Sequence, residues 1–395
     1  MTLLEFLSQS FTPFHAVQNA RAILSRAGFV ASESSLPDLR RGDKRFIDFE
    51  SALVAVSVGS GSAFHLVESH TDSPCLKIKN VQPGDPLRLN VECYGGGIKS
   101  SFLDRKLTVA GRIVTDEGGK LTASLYKSPF AVVAPSLAPH FGTSEGVTAV
   151  ATQLYPLLGG NGKFLPENVV DYDLFAVPDE APFYAGADNA FLCAPRLDNL
   201  LSVYASTSAI AAAKPHGIAV CVLFDSEEIG SGTVRGAASN LLPTVLKTIA
   251  ARLGLDYDET AARSFALSVD NAHAAHPAHP DKADTAIRVS LNGGIVVKHH
   301  AHYATDGVSA AIVKTICRRA GVPVQDYYHP SDLRCGSTLG LLAAAQTGIA
   351  ACDIGCAQLA MHAALETIGS ASPAHLQTAL QTFYATPLPV VLNAR

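Results

Sequence analysis

Gly217-Ile218-Ala219-Val220-Cys221-Val222-Leu223 runs straight into Phe224-Asp225-Ser226-Glu227-Glu228-Ile229-Gly230. The first segment is apolar without alternation, which reads as a strand buried on both faces, as in a parallel sheet. Gly230 and Gly232 are turn signals, so Glu227 and Glu228 stand where the strand ends and a loop begins. Burying an unpaired carboxylate is costly, so adjacent acids at the end of a core strand imply a nearby cation or a retained proton. A metal ion gives both residues a role, one as ligand and its neighbour as general base toward a metal-bound water. A solvated acidic turn is the alternative reading of Glu-Glu alone.

The same pattern recurs along the chain. Ala63-Phe64-His65-Leu66-Val67-Glu68-Ser69 leads into His70-Thr71-Asp72-Ser73-Pro74, an apolar strand closed by a proline that cannot continue a ladder. His70 can offer one ring nitrogen to a metal while Asp72, two residues on, orients the ring. Asp198 opens a helix-like stretch in Ala194-Pro195-Arg196-Leu197-Asp198-Asn199-Leu200. Phe265-Ala266-Leu267-Ser268-Val269 is a third apolar strand, with Asp270 at its carboxyl end, and Gln358-Leu359-Ala360-Met361-His362 places a histidine in an apolar segment. Several strands ending in His, Asp or Glu fit an open α/β sheet, whose ligand crevice lies outside the carboxyl ends of its strands.

These segments resemble the aspartyl aminopeptidases, the M18 group of dinuclear zinc metallopeptidases. The motifs occur in the family's order: Ser69 to Lys77, Arg196 to Leu200, Asp225 to Gly230, Val269 to Pro277, Cys335-Gly336-Ser337-Thr338 and Gln358 to His362, with Thr12 to Val17 like the family's opening. The resemblance implies a zinc-peptidase-like central mixed sheet flanked by helices, with an inserted, mainly β dimerisation domain. It implies two Zn2+ per subunit, bridged by Asp198, with His70 and Asp270 completing one ligand set and Glu228 and His362 the other. Glu227 would be the general base and Asp72 would orient His70. Two dications a few ångströms apart need a shared anion, and they depress the pKa of a bridging water from about 16 toward about 7. Zinc is the first choice for this His/carboxylate set; manganese and cobalt also suit it.

The resemblance also bears on substrate. Lys298, in Gly294-Ile295-Val296-Val297-Lys298, resembles the family's lysine that faces an acidic first side chain; an ammonium there would pair with Asp or Glu. His140 resembles a family histidine that reaches a partner subunit's active site. The chain departs from the family's pattern in having no Trp, in Ala363-Ala364-Leu365-Glu366 after His362, and in the segment after His140. These departures fall on subunit contacts and substrate fit, not on the expected ligands. His273, His276 and His279, and further on His299, His300 and His302, do not read as another metal site, because Pro277 and Pro280 break any helix aligning the first set. His273 is expected to line the substrate pocket.

The 395 residues suffice for one large or two smaller domains. Strands separated by short turns between about 80 and 190 imply a β-rich insert over 80–190, which the resemblance makes a dimerisation domain, with a catalytic domain over 1–79 and 191–395. A net charge of −5 argues against a nucleic-acid partner. No apolar run approaches the ~20 residues of a membrane span, and Met1 to Glu5 lacks a signal peptide's basic region, so no membrane partner is expected. Eight cysteines without paired spacing read as reduced core thiols of a cytoplasmic protein. Cys352 and Cys356 stand at helical i,i+4 spacing. The function the resemblance implies is removal of amino-terminal Asp or Glu from peptides by a dizinc-activated water, in a dimer that, as in the family, assembles into a dodecamer. A related dizinc hydrolase of other amino-terminal or N-acyl specificity, or a non-catalytic assembly, remains the alternative.

Overall fold

The structure, a computed structural model, describes residues 1–141, 147, 149–160 and 162–389. Ile218–Phe224 is buried along its whole length and lies inside a 13-stranded mixed sheet. It pairs antiparallel with Leu53–Val58 on one side and parallel with Phe64–His70 on the other. Phe64–His70 pairs parallel with Phe265–Val269, which in turn pairs parallel with Ala351–Leu359. The apolar run is unalternated because both faces are covered. Ile218, Val220, Val222 and Phe224 join a core with helices Leu241–Arg252 and Leu339–Thr347. Ala219, Cys221 and Leu223 face the opposite core, built with helices Pro13–Arg26, Leu197–Ala212 and Ser372–Ala385.

Register decides where the strands run out. Phe224 lies opposite His70 and Ser268 opposite Glu68, so three of the parallel strands bring their carboxyl ends to one rim of the sheet, while Ala351–Leu359 continues past Ile354, the partner of Val269. Cys352 and Cys356 belong to the strand Ala351–Leu359 rather than to a helix. The helix Leu339–Thr347 stops at Gly348, whose φ of +71° suits a residue without a Cβ, and the chain then enters the sheet. Period two also puts residues four apart on one face, and both thiols join the same core.

A second, five-stranded antiparallel sheet runs in the order Arg88–Tyr94, Cys75–Gln82, Val169–Pro178, Leu107–Asp116, Leu121–Val132. Its strands span residues 75–178, within and just ahead of the segment expected as an insert. Leu76, Val91, Leu107, Val109 and Leu174 fill its core. It begins five residues after His70, so the two sheets meet at the rim where the parallel strands end.

Gly355 packs against the end of Phe265–Val269: a Cβ there would collide with the backbone carbonyl of Asp270. Gly355→Ala is therefore expected to lower stability by ~1–3 kcal/mol through forced backbone movement, read as a lowered denaturation midpoint; an unchanged midpoint would show that the rim is not tightly packed.

Candidate metal centre

Three turns leave the rim, and each is shaped by a residue in the left-handed region. Ser226 (φ +65°) and Gly230 (φ +95°) bracket the short turn Glu227–Ile229. Arg196 (φ +60°) precedes Asp198, which has non-helical φ/ψ at the start of Leu197–Ala212. His362 itself has φ +68°. Such conformations cost a non-glycine residue free energy and persist only where the surroundings fix them. Asp72 fixes the first turn: Oδ1 accepts from the Glu227 amide at 3.1 Å, and Oδ2 accepts from the Glu228 amide at 3.1 Å and the Tyr94 hydroxyl at 2.9 Å. Glu366 fixes the other two, accepting from the amide of Asp198 at 2.9 Å and that of His362 at 2.6 Å.

The side chains so held converge. His70 Nδ1 lies 3.1 Å from the Asp72 carbonyl oxygen and 3.3 Å from its Oδ1. Its Nε2 therefore faces inward, 3.5 Å from Asp198 Oδ1 and 3.5 Å from Asp270 Oδ1. His362 Nδ1 is held 3.3 Å from the Gly96 carbonyl oxygen, and its Nε2 is 3.4 Å from Asp198 Oδ2 and 3.4 Å from Glu228 Oε2. Zinc with ligands at about 2.0–2.1 Å has a tetrahedral edge of about 3.3–3.4 Å. Each histidine thus forms, with one oxygen of Asp198 and one further carboxylate, a three-ligand set of the right size with a fourth position to spare. Asp198 Oδ1, Asp270 Oδ1 and Glu228 Oε1 are buried and accept no hydrogen bond, the state expected of oxygens that serve a cation. His70, Asp198 and Glu228 offer ligand atoms within 4.8 Å of one another. The donor set fits zinc.

Electrostatics point the same way. Burial pushes the Glu227 carboxyl up to about 8; His70 opposes this, and Asp270, Asp72 and Asp198 add to it. Glu228 is raised well above the carboxylate range by burial and by Asp198, against the pull of His362 and His70. Burial works against protonation of both histidines, yet the carboxylates win: Asp198, Asp270 and Asp72 raise His70, and Asp198 and Glu228 raise His362 to about 10. Excess negative charge in a low-dielectric site draws protons when no metal supplies the positive charge. A divalent cation among these oxygens reverses that preference, leaving carboxylates ionised and imidazoles neutral.

Asp198, Glu227, Asp270 and His362 line a cavity of about 280 Å³ together with His273, Lys298, Tyr303, Tyr327 and His329. Lys298 is buried with its ammonium 3.3 Å from Asp270 Oδ2, and His273 is exposed at the cavity wall. His140 is exposed in the turn Pro139–Phe141 and is not among the lining residues; residues 142–146 after it lie outside the described residues. His276, His279, His300 and His302 join no metal-sized group among the described residues. Sequence reading passed over Glu366, Tyr94, Tyr303, Tyr327 and His329. Only Glu366 carried a signal, an acid four residues after His362 in an apolar context.

Known proteins resemble this chain over nearly its whole length. The family model described as aminopeptidase I zinc metalloprotease (M18) matches residues 6–159 and 143–384. A probable M18 family aminopeptidase 2 of Mycobacterium leprae (strain TN) is 36% identical over 422 residues, covering 98% of this chain and 98% of its own. One from Pseudomonas aeruginosa (strain UCBPP-PA14) is 33% identical over 419 residues, covering 97% of each. Among solved structures, that of an Ape4 and Nbr1 complex superposes with a TM-score of 0.91 at 28% identity, over 97% of this chain and 84% of the other. Chaetomium thermophilum mApe1 gives 0.85 at 26%, over 97% and 96%.

Glu366 holds the backbone of two candidate ligands at once. Glu366→Ala should weaken zinc binding by about 10–100-fold, measured by competition with a chelator; wild-type affinity in that variant would show that the turns hold without it.

Proposed function

The chain belongs to the aminopeptidase I zinc metalloprotease (M18) family, and from that membership we propose how this zinc metalloaminopeptidase works. It removes amino-terminal Asp or Glu from peptides at a centre of two zinc ions, with Asp198 bridging, His70 and Asp270 on one side, and Glu228 and His362 on the other. The observation that carries this reading is the division of Asp198: each carboxylate oxygen faces a different histidine, at 3.5 and 3.4 Å. When bound, zinc supplies Lewis acidity toward a peptide carbonyl and lowers the pKa of water at its open position.

The residues of the chain do the rest. Glu227 lines the cavity beside the ligands without being committed to either set, so its carboxylate accepts a proton from the attacking water. It then returns that proton to the leaving amine. Asp72 keeps this base in place through the amides of Glu227 and Glu228 and keeps His70 turned with Nε2 inward. Lys298 presents its ammonium to the cavity, where an acidic first side chain would meet it, and His273 lines the same wall.

The assembly belongs to the same proposal: a dimer built through the 80–190 region, and from it a dodecamer. Leu121–Val132 ends the order of the five-stranded sheet and is largely exposed, with Leu121 65% and nearby Val170 62% exposed. An exposed apolar edge strand calls for a covering partner. His140, exposed and away from its own cavity, serves a neighbouring subunit's site in this scheme. The proposed compartment is the cytoplasm, where unpaired thiols such as these eight stay reduced. The partners are peptides, with no nucleic acid or membrane.

Hydrolysis of Asp-, Glu-, Leu- and Ala-p-nitroanilide by the zinc-loaded protein tests the reading. Cleavage of the acidic pair alone, abolished by chelator, is expected. Chelator-sensitive cleavage of the neutral pair would remove the acidic preference, and no cleavage with zinc bound would favour a non-catalytic assembly. Glu227→Gln should keep zinc and fold while kcat drops by at least ~10²; near-normal turnover would assign the base elsewhere.

A further inference from the structure

Lys298 lies in the strand Ile295–His299, which pairs antiparallel with Ala351–Leu359 and parallel with Val324–Tyr328. Its side chain is 2% exposed, among the largest fully buried ones in the protein. A buried ammonium needs partners, because desolvation without them costs more than any apolar contact of its stem returns. The partners lie on one short segment: Asp270 Oδ2 at 3.3 Å and the Asn271 carbonyl oxygen at 3.2 Å. The Tyr303 ring covers it, with its centroid 5.4 Å from Nζ. Among the described residues, Asp270 is the only carboxylate paired with Lys298.

This pairing splits Asp270. Oδ2 belongs to Lys298, while Oδ1 has no hydrogen bond and faces His70 Nε2 at 3.5 Å. A carboxylate tethered through one oxygen cannot turn to offer both to a cation. We propose that Lys298 is a positioning residue for the metal centre: it holds Asp270 Oδ2 so that Oδ1 alone completes the ligand set with His70 and Asp198. The proposal rests on the reading of Asp270 as a ligand. Outer groups that hydrogen-bond a ligating carboxylate fix its orientation and affect metal affinity. An ammonium carries three N–H donors. Two meet Asp270 and Asn271, and Lys298 still lines the cavity, so the third remains for a substrate carboxylate. The same side chain therefore couples the metal ligand to the substrate's first residue, and its loss is felt by every substrate.

Three variants separate the roles: Lys298→Met, Lys298→Gln and Asp270→Ala, with zinc affinity measured by chelator competition and kinetics on an acidic and a neutral substrate. In Lys298→Met one zinc should bind about 10–100-fold more weakly while the other is retained, and kcat should fall for both substrates. Lys298→Gln, which keeps an N–H at similar reach and is the variant to use if the methionine form fails to fold, should recover part of the affinity. Wild-type zinc affinity in both Lys298 variants, with loss confined to KM for the acidic substrate, would overturn the positioning role and leave only substrate recognition. Asp270→Ala tests the premise: unaltered zinc binding there would remove Asp270 as a ligand and this proposal with it. One zinc lost from Asp270→Ala but none from the Lys298 variants would overturn the positioning role alone.

Discussion

Negative charge that is buried and left without enough positive charge governs this structure. Asp198, Asp270, Glu228, Glu227, Asp72 and Glu366 crowd one rim of the sheet with two imidazoles and one ammonium among them. A folded protein does not retain such a cluster for stability, because replacing buried ions with apolar groups is commonly neutral or better. The cluster makes sense as a cation cradle. The orphaned oxygens of Asp198, Asp270 and Glu228 mark where positive charge belongs, and the ligand-atom separations match the edges of tetrahedral zinc.

The fold supplies the cradle through register. Three parallel strands, Phe64–His70, Ile218–Phe224 and Phe265–Val269, end nearly level with one another, so residues far apart in sequence leave the sheet at the same height. The turns that follow are then pinned by carboxylates that are not themselves candidate ligands. Asp72 gathers the Glu227–Ile229 turn, and Glu366 gathers the backbone of Asp198 and His362. The second sheet closes the site from the other side: Tyr94 donates to Asp72, and the Gly96 carbonyl holds His362. Gly95 has a φ of +72°, which suits a residue without a Cβ, and a Cβ there would come within 3.0 Å of the Glu228 side chain. The antiparallel sheet is therefore a wall of the site as well as an expected surface for assembly.

Much of this was legible in the sequence, for a physical reason. Strands buried on both faces lose the polar alternation that blurs other strands, so Ile218–Phe224, Phe64–His70 and Phe265–Val269 stand out together with the acids and histidines at their ends. What stayed hidden depends on backbone conformation and on long-range pairing. Glu366 works because His362 adopts a left-handed φ that turns its amide back toward the carboxylate, which no residue pattern announces. Tyr94 reaches Asp72 from a different sheet. The family resemblance makes Lys298 a cation facing a substrate; only the placement of its strand beside Ala351–Leu359 shows its charge already paired with Asp270. The thiols Cys352 and Cys356 fit helix and strand spacing equally well, and the Gly348 turn decides between them.

Membership in the M18 family and the zinc chemistry that goes with it rest on near full-length similarity. The central claim goes further: two zinc ions per chain share Asp198. Zinc stoichiometry of the native protein and of Asp198→Ala, measured by mass spectrometry of metal content after gel filtration, tests it most directly. Two zinc ions per chain in the native protein, and close to none in Asp198→Ala, is the predicted result. A native stoichiometry of one, or a variant that keeps two, would contradict it.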